Sequence, residues 1–237
     1  EREKVGQSGG IPSIGPIIPR KHQKIGFTEF EHGIIKRRVV EGTSEESLDW
    51  KVGHPALFPN ILFVGDGVKC NFQYRTPIDD ETTLHITWFF YKAAPGTTVD
   101  AQEAIPYFHV PLYDKNGELL PDLVNHQDFV AWISQGPIAK RTNERLGESD
   151  RGVILFRKQI EQQLAIMQDG GDPMNVIRDQ SKNRCIELPL ERWPALQETS
   201  NLSNYIPAQV GESEEQIAKI ERLLASWAEY VPDIVGK

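Results

Sequence analysis

Thr82-Thr83-Leu84-His85-Ile86-Thr87-Trp88-Phe89-Phe90-Tyr91 is β-branched or aromatic at almost every position, the composition of a strand. Alternation puts Thr83, His85, Thr87, Phe89 and Tyr91 on one face and Leu84, Ile86, Trp88 and Phe90 on the other. A strand apolar on both sides is covered on both sides, or it lines a cavity. Upstream, Lys69 to Arg75 reads as its partner strand, closed by Thr76-Pro77 and turned at Asp79-Asp80-Glu81. Leu57 to Val64 reads as one earlier strand, ending at the Gly65-Asp66-Gly67 turn. Ile25 to Glu31 and Gly33 to Val40 make a hairpin about His32-Gly33, and residues 43–53 read as polar loop. Residues 1–23, rich in Gly, Pro and Ile without period, read as an extended arm or linker that lies on a surface.

Downstream of the strand, residues 94–126 are loop-rich, with a hairpin expected at Tyr113-Asp114-Lys115-Asn116-Gly117. Asn125-His126-Gln127-Asp128-Phe129-Val130-Ala131-Trp132-Ile133-Ser134-Gln135 then reads as a short helix, interrupted by Gly136-Pro137. On it Asp128, Trp132 and Gln135 share one face, and Phe129, Trp132 and Ile133 form a stripe to bury. Ser149 caps a longer helix whose stripe is Val153, Phe156, Ile160, Leu164 and Met167. That helix stops at Gly170-Gly171 after about 27 Å, enough to cross a sheet. Residues 174–211 look irregular. A last helix starts at Ser213 with Gln216 three residues on. It carries Ile217, Ile220, Leu224, Trp227 and Val231 and ends at Pro232. Antiparallel strands followed by a long amphipathic helix are an α+β order, expected as one domain over 24–237 behind the arm.

The whole-chain figures exclude several classes. A net charge of −8 leaves no basic footprint for nucleic acid or an anionic membrane. No apolar run is long enough to span a bilayer and no signal-peptide pattern is present, so a cytoplasmic location is expected. Cys70 and Cys185 cannot make a four-thiolate cluster and read as free thiols. The chain opens on Glu1, and a fragment of a longer polypeptide is expected.

Chemistry concentrates at Asp128. A carboxylate among aromatics is costly without a compensating partner, and a metal is one such partner; a helix-cap Asp is the plainer reading. His126 and Asp128 also make H-x-D, but no histidine follows to complete a ligand set of that kind. His85 sits mid-strand, as a cavity-wall residue or a hydrogen-bonded core histidine.

Three blocks of residues resemble a known family. They are Phe58-Pro59-Asn60-Ile61 running on to Tyr74-Arg75-Thr76-Pro77-Ile78-Asp79-Asp80-Glu81-Thr82-Thr83-Leu84-His85; Asn125-His126-Gln127-Asp128; and Gln135-Gly136-Pro137-Ile138 with Arg145 to Leu155 and Asp169 to Pro173. Together they are similar to the catalytic-domain portion of Rieske-type non-haem iron aromatic-ring oxygenases, particularly the phthalate 4,5-dioxygenase type. The resemblance implies a helix-grip (START/Bet v 1-like) fold, an antiparallel sheet wrapped on a long C-terminal helix. It implies that Asp128 is the carboxylate ligand of a mononuclear Fe(II) held by two histidines and one carboxylate. It makes His85, Thr87, Phe89 and Trp132 candidates for substrate contact, and Asn125 and Gln127 candidates to orient the carboxylate. No basic cluster plainly awaits a substrate carboxylate, although Arg37, Arg38 and Arg75 could serve. The activity implied is hydroxylation or oxidative dealkylation of an aromatic substrate by dioxygen. Electrons would come from an NAD(P)H-dependent reductase or ferredoxin through a [2Fe-2S] Rieske cluster, and the assembly would be a homotrimer.

The chain departs from the family in its histidines. His22, His32, His54, His85, His109 and His126 include no pair at the family's H-x4-H spacing, and the cluster's Cys-His pairs are absent. The Rieske segment and the histidine pair are therefore expected in an upstream segment or a partner chain. Two other classes remain open here: a metal-free helix-grip module for a hydrophobic ligand, and a non-catalytic oxygenase subunit.

Overall fold

The computed structural model describes residues 21–65, 68–107, 109–120, 124–189 and 214–229. Most of the expected arm, the tip of the Gly65-Asp66-Gly67 turn, and Ser213, Val231 and Pro232 lie outside the described residues. The chain divides into two compact units, one of Arg20–Phe90 with Ala131–Ala195, the other of Glu1–Pro19, Tyr91–Val130 and Leu196–Lys237.

The first unit is built on an antiparallel meander: β1 (His22–Phe30), β2 (Gly33–Val40), β3 (His54–Leu57), β4 (Ile61–Gly65), β5 (Lys69–Pro77) and β6 (Thr83–Tyr91), hydrogen-bonded in sequence order. Sheet plus helices confirms the α+β class. The strand expected over Leu57 to Val64 is two strands. Pro59 has no N–H to give a ladder, and the chain turns through Phe58-Pro59-Asn60 between β3 and β4. Register pairs Phe63 with Phe72. Their face, with Cys70, Phe90, Val52 and Leu188, is the packed core. Phe63 is fully buried there, its ring 4.9 Å from Phe72, a burial worth about 1.5–3 kcal/mol. Leu188 comes from the stretch read as irregular, whose described part also carries a 3-10 turn at Gln180–Lys182.

β6 corrects a second expectation. Leu84, Ile86 and Trp88 are 46–49% exposed, while His85, Thr87 and Phe89 on the opposite face are half-buried. Strand propensity read the element correctly; it could not tell that β6 is the last strand of the sheet among the described residues.

The long helix α3 (Arg151–Gln168) lies on β1 and β2. Its N-cap is Asp150, not Ser149, and the Asp150 carboxylate accepts the Gly147 N–H at 2.8 Å. The buried face also differs from the expected stripe. Val153, Leu164 and Met167 are exposed, and the covered side runs through Gly152, Phe156, Gln159, Ile160 and Gln163. Polar anchors turn the helix. Gln159 donates to Glu29 Oε1 and to the Gly33 carbonyl, and Gln163 accepts the Met174 N–H at 2.6 Å. At Gly152 a Cβ would run into the Phe27 ring, so only glycine allows this approach. Beyond the expected Gly170 stop, Asn175 adopts φ +68°. Its amide donates to the carbonyls of His32 (3.2 Å) and Phe58 (2.7 Å), and its Oδ1 lies 2.8 Å from His32 Nδ1. One side chain thus ties the β1–β2 turn to the β3–β4 corner.

The loop expected at 43–53 contains a one-turn helix, α1 (Leu48–Lys51), too short for any periodicity. It is held by Asp49, whose carboxylate accepts from Arg38 Nε and meets His54 Nε2, both at 2.9 Å. Burial alone would raise the Asp49 pKa; the hydrogen bonds from His54 and Arg38 outweigh it and bring it down to about 2. A depressed carboxylate stabilises the fold above its unfolded pKa and loses that contribution as pH falls through the folded value. Asp49→Asn is therefore expected to cost about 1–2 kcal/mol at pH 6, discounted for a side chain one-third exposed. The deficit should vanish between pH 4 and about 2 in acid melts; a pH-independent deficit would contradict the assignment.

The second unit contains the residues from Tyr91 to Val130 and the helix α4 (Glu214–Glu229). The expected hairpin is present: Tyr113 bridges Leu119 around a turn in which Asp114 Oδ1 accepts the N–H groups of Asn116 and Glu118. On α4 Ile217 and Ile220 are buried, as their spacing predicted. Trp227 donates its indole N–H to the Lys92 carbonyl at 2.6 Å, and Ser226 accepts the Ala94 N–H at 3.0 Å. No described helix is long and apolar enough to cross a membrane.

Candidate functional site

On the half-buried face of β6, His85 Nε2 lies 2.9 Å from Thr87 Oγ1. The Trp132 ring stands 5.4 Å from the imidazole at 47°. Arg75, on β5, places its guanidinium carbon 5.0 Å from the Trp132 ring centroid, within cation–π range. Behind it runs a polar line at i, i+2 and i+4: Arg75 donates to Gln73 Oε1 at 2.7 Å, and Gln73 donates to Asn71 Oδ1 at 3.2 Å. Asn71 and Gln73 are buried. Burial lowers the His85 pKa, and the Arg75 charge lowers it further, so near neutrality this imidazole is uncharged and can donate one hydrogen bond and accept another.

Three of the expected substrate-contact residues, His85, Thr87 and Trp132, therefore meet in one cluster, and Phe89 shares the strand face. Sequence reading missed Asn71 and Gln73. Their alternation with Cys70, Phe72 and Tyr74 was the available signal, since polar residues on an inward strand face are rare without a task. Arg37 and Arg38 are spent elsewhere. Arg37 Nη1 donates to the Trp50 and Lys51 carbonyls, and Arg38 pairs with Asp49. A groove of about 520 Å³ also opens in this unit beside His32 and Asn175, with Asp172, Arg178 and Lys182 on its rim.

The helix predicted around Asp128 is present as α2 (Val124–Ile133). It ends where expected, with Gly136 at φ +84° donating its N–H to the Ile133 carbonyl. Asp128 and Gln127 are exposed on it; the Asn125 side chain lies outside the described residues. The predicted apolar stripe is only half-covered, with Trp132 39% and Ile133 36% exposed. His126 is buried against Phe129, ring centroids 6.2 Å apart, and neither ring nitrogen has a hydrogen-bond partner among the described residues.

Residues 121–186, which include α2 and α3, match the family described as "LigXa C-terminal domain like". The chain is 41% identical over 184 residues to the 5,5'-dehydrodivanillate O-demethylase oxygenase subunit of Sphingobium sp. (strain NBRC 103272 / SYK-6), covering 78% of this chain and 42% of that protein. The chain is a homologue of the catalytic-domain portion of Rieske-type oxygenases. It is also 29% identical to the phenoxybenzoate dioxygenase subunit alpha of Ectopseudomonas oleovorans over 174 residues, 68% of this chain and 37% of that one. A 45-residue stretch, 19% of this chain and 10% of the relative, is 47% identical to the phthalate 4,5-dioxygenase oxygenase subunit of Pseudomonas putida. The chain spans about two fifths of the length of the first two relatives.

A Rieske-type oxygenase holds its mononuclear iron with two imidazoles and a carboxylate. Among the described residues of this homologue, no three His, Cys, Asp or Glu side chains gather to hold a metal. His126 cannot join Asp128 on one ion while both stay on a regular helix, because positions i and i+2 point about 160° apart. The described residues thus do not by themselves complete an iron site.

Proposed function

We propose that this chain is the C-terminal catalytic part of an oxygenase subunit that uses dioxygen and NAD(P)H-derived electrons to oxidise an aromatic carboxylic acid. The observation that carries the reading is the 41% identity to an O-demethylase oxygenase subunit across 78% of the chain. The three relatives are named for dehydrodivanillate, phenoxybenzoate and phthalate, all aromatic carboxylates. The first of these names favours oxidative O-dealkylation over ring hydroxylation here.

In this reading residues 24–237 form one catalytic domain of helix-grip type, with α3 as the gripped helix, behind an arm of residues 1–23. Asp128 is the carboxylate ligand of a mononuclear iron, with Asn125 and Gln127 orienting it. Both imidazoles and the [2Fe-2S] cluster belong to a further segment or a partner chain. When bound, such an iron supplies the activation of dioxygen. His85, Thr87, Phe89 and Trp132 hold the aromatic ring and exclude water from it. A reductase or ferredoxin delivers electrons, the assembly is a homotrimer, and its place is the cytoplasm.

The test is turnover by the assembled oxygenase with its reductase, NADH and dioxygen, on methoxylated and plain benzoates. One formaldehyde and one phenol per methoxybenzoate consumed are expected. Hydroxylated ring without formaldehyde would replace demethylation by ring oxidation. Tight binding of aromatics with no dioxygen consumed by the iron-loaded assembly would return the chain to the class of ligand-binding modules.

A further inference from the structure

We infer that His126 is a point of attachment between this chain and the rest of the oxygenase subunit, its imidazole hydrogen-bonded there to an acceptor oxygen. The inference rests on the reading of the chain as one part of a longer oxygenase subunit and adds an interaction site to it.

α2 has two unlike sides. Gln127 and Asp128 are exposed, His126 is buried, and Phe129 and Val130 are half-buried. Phe129 and Val130 follow His126 by three and four positions, so the three share one side of the helix. Among the described side chains of α2 the buried one is therefore polar. His126 is 5% exposed, and neither of its ring nitrogens has a hydrogen-bond partner among the described residues. The ring of Phe129 stands 6.2 Å from it, and neither Phe129 nor Val130 carries a side-chain group that could bond it.

That leaves a definite chemical demand. In either protonation state an imidazole carries at least one N–H, so at least one acceptor oxygen is called for. Bulk water does not reach a side chain so covered, and a buried polar group left without a partner is costly. The family that matches residues 121–186, α2 included, is described as a C-terminal domain. The chain covers 42% and 37% of the two relatives that match it over most of its length. Most of such a subunit thus lies outside this chain, and the oxygen is assigned to that part. A hydrogen bond there would set the roll of α2 by direction, which apolar burial does not do.

The measurement uses the assembled full-length oxygenase. His126→Phe keeps a ring of similar shape and removes both nitrogens. It should lower the melting temperature by about 2–5 °C. His126→Gln or His126→Asn, which return a donor and an acceptor, should restore part of that loss. An imidazole with no partner predicts the opposite sign: an apolar ring in its place removes an unmet polar group, and the melting temperature holds or rises. That result overturns the inference, as does a loss that neither amide repairs, which marks packing alone. A structure of the wild-type assembly reads the source of the oxygen, and it decides the matter if His126→Phe does not fold. An oxygen from outside residues 1–237 within about 3.2 Å of Nδ1 or Nε2 is the expected result. A partner from within those residues, a water alone, or no partner overturns the inference. Failure of the wild-type assembly to consume dioxygen with any aromatic would count instead against the oxygenase reading, with the His126 contact still judged by that structure.

Discussion

Gly33→Ala is expected to destabilise the first unit by about 3 kcal/mol and lower its melting temperature by about 6–12 °C. Gly33 opens β2 at φ +149°, a conformation that L side chains rarely adopt. A Cβ there would lie closer than 3.0 Å to both the Ala56 carbonyl oxygen and the Phe58 nitrogen. Those are backbone atoms of the adjoining strand and its corner, and they cannot rotate away. The Gly33 carbonyl also accepts from Gln159, so a shift here loosens α3 as well. Gly42 supplies the control. Its φ is +84°, yet nothing stands within 4 Å of a Cβ, so Gly42→Ala should cost about 1 kcal/mol. Equal losses in the two variants, read by calorimetry, would remove the steric argument.

Asp128→Ala should leave the assembled oxygenase with under about a tenth of its wild-type iron and reduce turnover about 100-fold or more. The side chain is exposed on α2 in this chain. Removing it therefore uncovers no cavity and breaks no buried contact, and the melting temperature should move by under about 2 °C. That contrast separates a ligand from a structural residue. A helix-cap or surface aspartate would leave iron content untouched. Asp128→Glu keeps the donor on a longer arm and should retain part of the metal. Full iron in Asp128→Ala, measured by atomic spectrometry on the folded assembly, would end its candidacy.

The elements easiest to read were those with an uninterrupted period. β6 declared itself through Thr83 to Tyr91, the β1–β2 hairpin through its two alternating runs, and α4 through Ile217, Ile220, Leu224 and Trp227. Failures came where a single local group overrides period. Pro59 divides one apolar run into β3 and β4. Gln159 and Gln163 hold α3 by a face that hydropathy would not choose, through side-chain hydrogen bonds to the hairpin and to Met174, while Val153 and Leu164 stay exposed. At the site, alternation placed His85, Thr87 and Phe89 together correctly. The approach of Arg75 to Trp132 spans 57 positions and leaves no periodic trace. The family resemblance pointed to Asp128, and around it no three metal-binding side chains gather among the described residues.

Among the described residues the meander adds each strand beside its predecessor, and β6 has β5 as its one strand neighbour. Leu84, Ile86 and Trp88 stand in a row on it, each nearly half uncovered. A greasy row on a strand is a surface for association. Handling of the isolated polypeptide will consequently be governed by colloidal behaviour at this margin more than by the stability of its interior: dilute, low-salt buffers will keep it monodisperse, and a charged residue at position 86 will improve recovery without touching the core.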